Sequence, residues 1–297
     1  MAGEHRPTNY LTFSVASMRS LPKLILDTNV CGKLVTPAYR EDLERIKARI
    51  AHNFRVVVSP ITFCELLDGL QGGDGNQFQS DKERFRLMVG NGKPKFLPLP
   101  ATFAFWKVLR LKVPVAKVGP DDLFRCFRIL LHAKSRPELF GGDVRLTGHG
   151  IKGRWGFDPQ IIRQQHDKGR TLFRAALKKL KNGGSAFPEP QEWASHLGVV
   201  MGYSLDDHQA LTLATALAAA YRYDSALFAT VATSPYNLEK HKGDWPDSQQ
   251  LYYLCDPGMF LLTDDSDLRK RVESSLQRDR VLDLREFLMQ HGLTPRH

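Results

Sequence analysis

Four carboxylates sit where the chain changes direction. Asp27 follows the apolar run Leu24-Ile25-Leu26, Glu65 lies in the segment that begins at Ser59-Pro60, Asp247 follows Trp245-Pro246, and Asp265 follows Met259-Phe260-Leu261-Leu262. Carboxylates crowded together repel, and a hard, oxygen-liganded divalent ion, Mg²⁺ or Mn²⁺, resolves that repulsion. Such an ion can activate water and stabilise the charge that builds on a phosphate oxygen, the chemistry of metal-dependent phosphodiester hydrolysis.

The elements that would position these groups follow an α/β rhythm. Leu24–Leu26 and Phe54–Val58 are short, β-branched or leucine-rich apolar runs that predict buried strands. Ser59-Pro60 is a helix start with proline in the first turn, and Gly72-Gly73 stops the helix predicted over Ile61–Leu70. Helical spacing also appears over Glu41–Ile50 and Asp81–Val89, and Lys95–Leu99 predicts a third strand. Near the C-terminus a helix over Asp247–Leu254, a strand over Met259–Leu262, a helix over Asp267–Leu276, a strand at Val281-Leu282 and a helix over Leu284–Gln290 resume the pattern. Alternation of this kind implies a parallel sheet, whose C-terminal strand ends line one edge and form the ligand crevice. Asp27 and Asp265 fall on that edge; Glu65 and Asp247 are helix residues that lean over it.

The combination LILDTNV, VVVSPITFCELLDG, DSQQLYYL and MFLLTDDSDL resembles the PIN domain, a family of metal-dependent ribonucleases. Its pattern is an Asp after strand one, a Glu in the helix after strand two, an Asp opening the helix before strand four, and T-x-D-x-D after that strand. Asp247 precedes Thr263 by 16 residues, the usual length of that helix, turn and strand in the family. The resemblance covers roughly residues 22–110 and 243–295. It implies a three-layer α/β fold with a five-stranded parallel sheet of order 3-2-1-4-5, and an acidic metal site that cleaves single-stranded RNA. Asp27, Asp247 and Asp265 are then expected metal ligands. Glu65 orients or deprotonates the attacking water, or serves a second metal. Asn29 and Thr263 support the ligands through hydrogen bonds, and Asp267 is either a fifth carboxylate or a helix cap.

The chain departs from the family pattern in one respect: Glu65 and Asp247 are 182 positions apart, several times the usual separation. The domains expected are an irregular leader over 1–21, a discontinuous nuclease domain over 22–110 and 243–297, and a helical insertion over 111–242. Helices are predicted there over Pro120–Lys134, Pro159–Lys181 and Leu205–Tyr223, the last apolar nearly all round and expected at the insertion's buried centre. The insertion is also where the charge lies. Residues 101–184 hold 18 Lys and Arg against 6 Asp and Glu, so the whole excess of a chain of net charge +10 falls in that stretch. A localised basic surface suits a polyanion. Arg154 and Trp155, in a flexible Gly-containing run, and Arg163, Arg170, Arg174 and Lys178, on the following helix, are the expected nucleic-acid contacts. RNA is the expected partner ahead of DNA; an acidic protein or a second copy of the chain are other uses of the same surface.

Other functions are weighed against this one. A haloacid-dehalogenase-type phosphatase needs a second Asp two residues after the first, where this chain has Asn29. A nucleic-acid-binding scaffold with a decayed site is opposed by all four acidic positions being filled. A toxin of a toxin–antitoxin pair is ordinarily close to the bare domain in size. The four cysteines, Cys31, Cys64, Cys126 and Cys255, form no CxxC pair and read as small buried hydrophobes. No run approaches the roughly 18–20 apolar residues of a membrane span, and Glu4, His5, Arg6 and Arg19 leave no apolar signal core in the first twenty residues, so a cytoplasmic location is expected.

Overall fold

The computed structural model describes residues 21–70, 75–88, 94–112, 119–140, 159–183, 186–234, 236–237, 241 and 243–293. The chain begins with strand β1 (Lys23–Leu26), helices α1 (Thr28–Leu34), α2 (Pro37–Arg40) and α3 (Leu43–Asn53), and strand β2 (Arg55–Val56). Helices α4 (Pro60–Gly69), α5 (Gly75–Leu87) and α6 (Pro100–Ala104) follow, the last running into a π-helical turn over Phe105–Leu109. A long helical stretch contains α7 (Pro120–His132), α8 (Arg136–Phe140), α9 (Pro159–Gly183), α10 (Pro190–Val200), α11 (Asp207–Ala216) and α12 (Ala218–Thr233). Helix α13 (Asp244–Leu251) continues as a 3₁₀ turn over Tyr252–Cys255 and leads to β3 (Met259–Thr263), α14 (Ser266–Val272), a 3₁₀ turn over Arg278–Arg280, β4 (Val281–Asp283) and α15 (Leu284–Gln290).

The protein is α/β, with a four-stranded, all-parallel sheet of order β2-β1-β3-β4. Side chains of a strand alternate between faces, and both faces here are apolar. Leu24 and Leu26 of β1, with Phe260 and Leu262 of β3, enter one core; Ile25, with Met259 and Leu261, enters the other. The first core is closed by α1, α3, α4, α5, α7 and α15, the second by α6 and its π turn, α11, α12, α13 and α14. Residues 111–242 thus contribute to both: Leu123, Cys126, Phe127 and Leu130 of α7 join the first core, and Leu213, Leu217, Tyr223 and Leu227 join the second.

Two expectations need correction. The strand expected over Lys95–Leu99 forms only as a parallel bridge between Val58 and Phe96, with Val58 N donating to Lys95 O at 2.9 Å and Leu97 N to Val58 O at 3.0 Å. Pro94, Pro98 and Pro100 have no N–H to extend that ladder, so the described sheet has four strands and not five. The helix expected over Leu205–Tyr223 is two helices. Leu217 leaves helical geometry (φ −102°, ψ 21°), which lets α11 pack on α10 and the π turn while α12 packs on α13 and α14. Three of the four cysteines are buried and all four are free thiols. Among the described residues no helix is long and apolar enough to cross a membrane.

Candidate metal centre at the sheet edge

Parallel pairing brings the first acidic position level with the residues after β3. Leu26 is in register with Leu262, and Asp27 N donates to Leu262 O at 3.0 Å, so Asp27 and Thr263 lie side by side at the C-terminal edge. Asp27 is 3% exposed. Its carboxylate accepts from Thr28 N (2.6 Å) and Gln250 Nε2 (3.1 Å) on Oδ1 and from Thr263 Oγ1 (2.7 Å) on Oδ2. Thr263 Oγ1 accepts in turn from Asp265 N at 3.0 Å and Asn29 Nδ2 at 3.4 Å, while Asn29 Oδ1 accepts from Asp264 N at 3.1 Å. Thr263 thus hydrogen-bonds the Asp27 carboxylate, and Asn29 ties the turn after β1 to the turn after β3.

Asp265 caps α14, accepting on Oδ1 from Asp267 N (2.7 Å) and Leu268 N (2.9 Å), which leaves its other oxygen outside the cap. Asp267 is therefore not the cap; its side chain is exposed, 3.8 Å from Lys270. Glu65 lies on α4, a helix started by Ser59, whose hydroxyl accepts from Ile61 N at 3.1 Å, and by Pro60 in the first turn. Thr28 Oγ1 donates to Glu65 Oε2 at 2.6 Å. Asp247 lies in the first turn of α13 with Asp244. The Tyr223 hydroxyl lies 3.1 Å from both Asp247 Oδ2 and Asp244 Oδ1, and Arg271 Nη1 donates to that hydroxyl (2.8 Å) and to Asp244 (2.7 Å).

All four carboxylates share one electrostatic neighbourhood. Burial, and then the charge of Asp27, pushes the Glu65 carboxyl up to about 8. Burial raises Asp247 well above the ordinary carboxylate range, with Asp27, Glu65 and Asp265 adding to it. Asp27 is also raised by burial, against the pull of its three hydrogen bonds, with Asp265 adding a further upward push. Raised acids of this kind mark a site that lacks compensating charge. The donor set is all oxygen and fits a hard divalent ion. Among the described residues, the three side chains whose ligand atoms come within 4.8 Å of one another are Asp68, His166 and Asp167, so the quartet would have to close up around a shared ion.

The basic positions divide. Arg154 and Trp155 lie outside the described residues, and of Arg163 only its place in α9 is described. Lys178 is exposed. Arg170 is half-buried, with Nη1 3.7 Å from both Asp68 Oδ2 and Asp167 Oδ1, and its charge opposes the upward shift of Glu65. Arg174 lines a recess with His241, Asp244 and Trp245. On the flank of α4 and α13, an apolar cavity of about 210 Å³ is bounded by Pro60, Ile61, Leu99, His166 and Trp245. Burial lowers His166 to about 4, and Arg170 adds to that effect.

Sequence reasoning passed over Thr28, Gln250, Tyr223, Asp244, Arg271 and His166. Thr28 sits inside LILDTNV, and Gln250 is one helical turn after Asp247, so both carried a local signal. Tyr223 and Arg271 are 48 positions apart and carried none. Comparison with protein-family models, with curated proteins and with solved structures returns no significant match.

Proposed function

We propose that this chain is a PIN-like ribonuclease of the cytoplasm that uses Mg²⁺ or Mn²⁺ to hydrolyse phosphodiester bonds in single-stranded RNA. The observation that carries the reading is a set of hydrogen bonds at the sheet edge that spans the 182 positions between Glu65 and Asp247: Thr28, next to Asp27, grips Glu65; Thr263 donates to Asp27 and accepts from Asp265 N; and Gln250, on the helix that carries Asp247, donates to Asp27. The sheet order β2-β1-β3-β4, with Phe96 bridged to Val58 beyond β2, supports a PIN-type layout of order 3-2-1-4-5 whose third strand is reduced to a bridge.

Asp27, Asp247 and Asp265 would hold the ion, which when bound supplies water activation and neutralises charge on the phosphate. Asp27 is oriented for that task by Gln250, Thr263 and the backbone of Thr28. Glu65, pushed up to about 8 and gripped by Thr28, can take or return a proton near neutral pH, as general acid–base work on the attacking water requires. Asp244 and Arg271 fix the Tyr223 hydroxyl against Asp247. The apolar cavity beside Pro60, His166 and Trp245 is of the kind that an unstacked base fills, which favours a single strand over a duplex. The exposed lysines of α9 supply the charge for a phosphate backbone. The test is divalent-ion-dependent cleavage of labelled single-stranded RNA, which Asp27→Asn should lose.

A further inference from the structure

A second group of ligating side chains meets one helical turn along α4 from Glu65. Asp68 on α4 and His166 and Asp167 on α9 each offer one ligand atom, and these atoms lie within 4.8 Å of one another. His166 Nδ1 is 3.8 Å from Asp68 Oδ2, too long for a hydrogen bond and near the roughly 3–3.5 Å between two ligands of one ion bound at about 2.1 Å.

Two carboxylates at a helix contact are not by themselves a site, and His166 supplies the independent observation. Its side chain is 2% exposed, and among the described residues neither ring nitrogen has a hydrogen-bond partner. Buried imidazoles ordinarily donate from one nitrogen and accept at the other. Packing fixes this ring: it stands edge-on to Trp245, centroids 5.0 Å apart, and Trp245 lies over Gly169, where a Cβ would come within 2.4 Å of the indole. The imidazole is thereby held with Nδ1 toward Asp68.

We infer that Asp68, His166 and Asp167 form a second divalent-cation site, which pins α9 to α4 and takes an ion with affinity for imidazole nitrogen, Zn²⁺ or Co²⁺, in preference to Mg²⁺. One imidazole and two carboxylates make a mixed nitrogen–oxygen donor set, whereas Mg²⁺ prefers oxygen alone. Arg170 stands in for the cation, its Nη1 3.7 Å from each carboxylate, farther than a close charge-assisted hydrogen bond. A divalent ion competes with that guanidinium. The site stands apart from the ribonuclease reading, although Asp68 is one helical turn from Glu65 on the same helix.

The experiment titrates the whole chain with Zn²⁺ by equilibrium dialysis and with Co²⁺ by visible absorption. It is done in an Asp27→Asn, Asp265→Asn background, so that the other carboxylates do not supply the signal. The background protein should bind one ion, with Co²⁺ bands that report nitrogen ligation. Adding His166→Gln or Asp167→Asn should weaken binding by at least the roughly 10–100-fold that loss of even an outer-shell partner costs. Asp167 is exposed, so its replacement tests the site without touching the core, with circular dichroism as the control for folding. Arg170→Gln should tighten binding. No uptake by the background protein, or binding by the His166 and Asp167 variants as tight as the background's, overturns the site.

Discussion

Thr28 donates its hydroxyl to Glu65 Oε2 at 2.6 Å, joining the residue after β1 to the helix after β2. This bond favours the charged form of Glu65 against burial and the Asp27 charge. Thr28→Val keeps the shape and removes the donor. A hydrogen bond to a charged group is worth about 1.5–3 kcal/mol, so cleavage should fall about tenfold or more, and the low-pH limb of the pH–rate profile should move to higher pH. Thr28→Ser should restore both. An unchanged profile in Thr28→Val would separate Glu65 from the chemistry.

Stability without divalent ions should fall as pH rises toward 8. Glu65 holds its proton up to about 8 in the folded chain, whereas an unfolded glutamate loses it near its ordinary value. The folded state therefore binds more protons than the unfolded state across that interval, and stability declines with pH. His166 acts in the opposite sense: lowered to about 4, it adds stability as pH rises toward the ordinary histidine value of about 6.5. The window to read is thus about pH 6.5–8, by thermal melting in EDTA. Glu65→Gln should flatten the decline; a wild-type Tm that rises through this window would contradict the assignment.

Asp247→Asn should separate stability from activity. The Asp247 carboxyl is raised by burial and by Asp27, Glu65 and Asp265, and an amide removes that repulsion while still accepting from Tyr223. The metal-free variant should melt higher at pH 8, by about 2–4 °C for each ~1 kcal/mol relieved, and should lose most cleavage. A lower Tm in a folded variant would mean that the Asp247 charge is compensated in the native state.

Salt dependence tests the basic helix. Arg170 is paired with Asp68 and Asp167, so the exposed Lys178, Lys179 and Lys181 are the cleaner probes. Each phosphate of a single strand that is no longer neutralised should reduce the slope of log affinity against log salt by about 0.7. Reversing the three lysines should weaken RNA binding and flatten that slope. Unchanged affinity and slope would assign the surface to solvent or to an acidic protein.

Legibility followed sequence distance. The unbroken apolar runs Leu24-Ile25-Leu26 and Met259–Leu262 were readable as strands because both sheet faces are buried, and Ser59-Pro60 announced α4 because the cap and the proline are local. The pairing of Asp27 with Thr263 followed from two strands ending on one edge. The third strand was over-read, since Phe96, Leu97 and Leu99 suggested a ladder that the interleaved prolines cannot build. The break at Leu217 was hidden by an unbroken apolar run. The contact of Asp68 with His166 and the Arg271–Tyr223–Asp247 chain depend on helix packing, which no local spacing encodes.

The central claim is tested most directly by incubating purified protein with labelled single-stranded RNA and DNA, in EDTA and with Mn²⁺ or Mg²⁺ restored, beside Asp27→Asn and Asp265→Asn. The expected result is cleavage of RNA that EDTA abolishes and the ion restores, with each variant reduced by about a hundredfold or more, the loss of several kcal/mol of transition-state stabilisation. Cleavage that persists in both variants, or no ion-dependent cleavage of RNA by the wild-type protein, would contradict it.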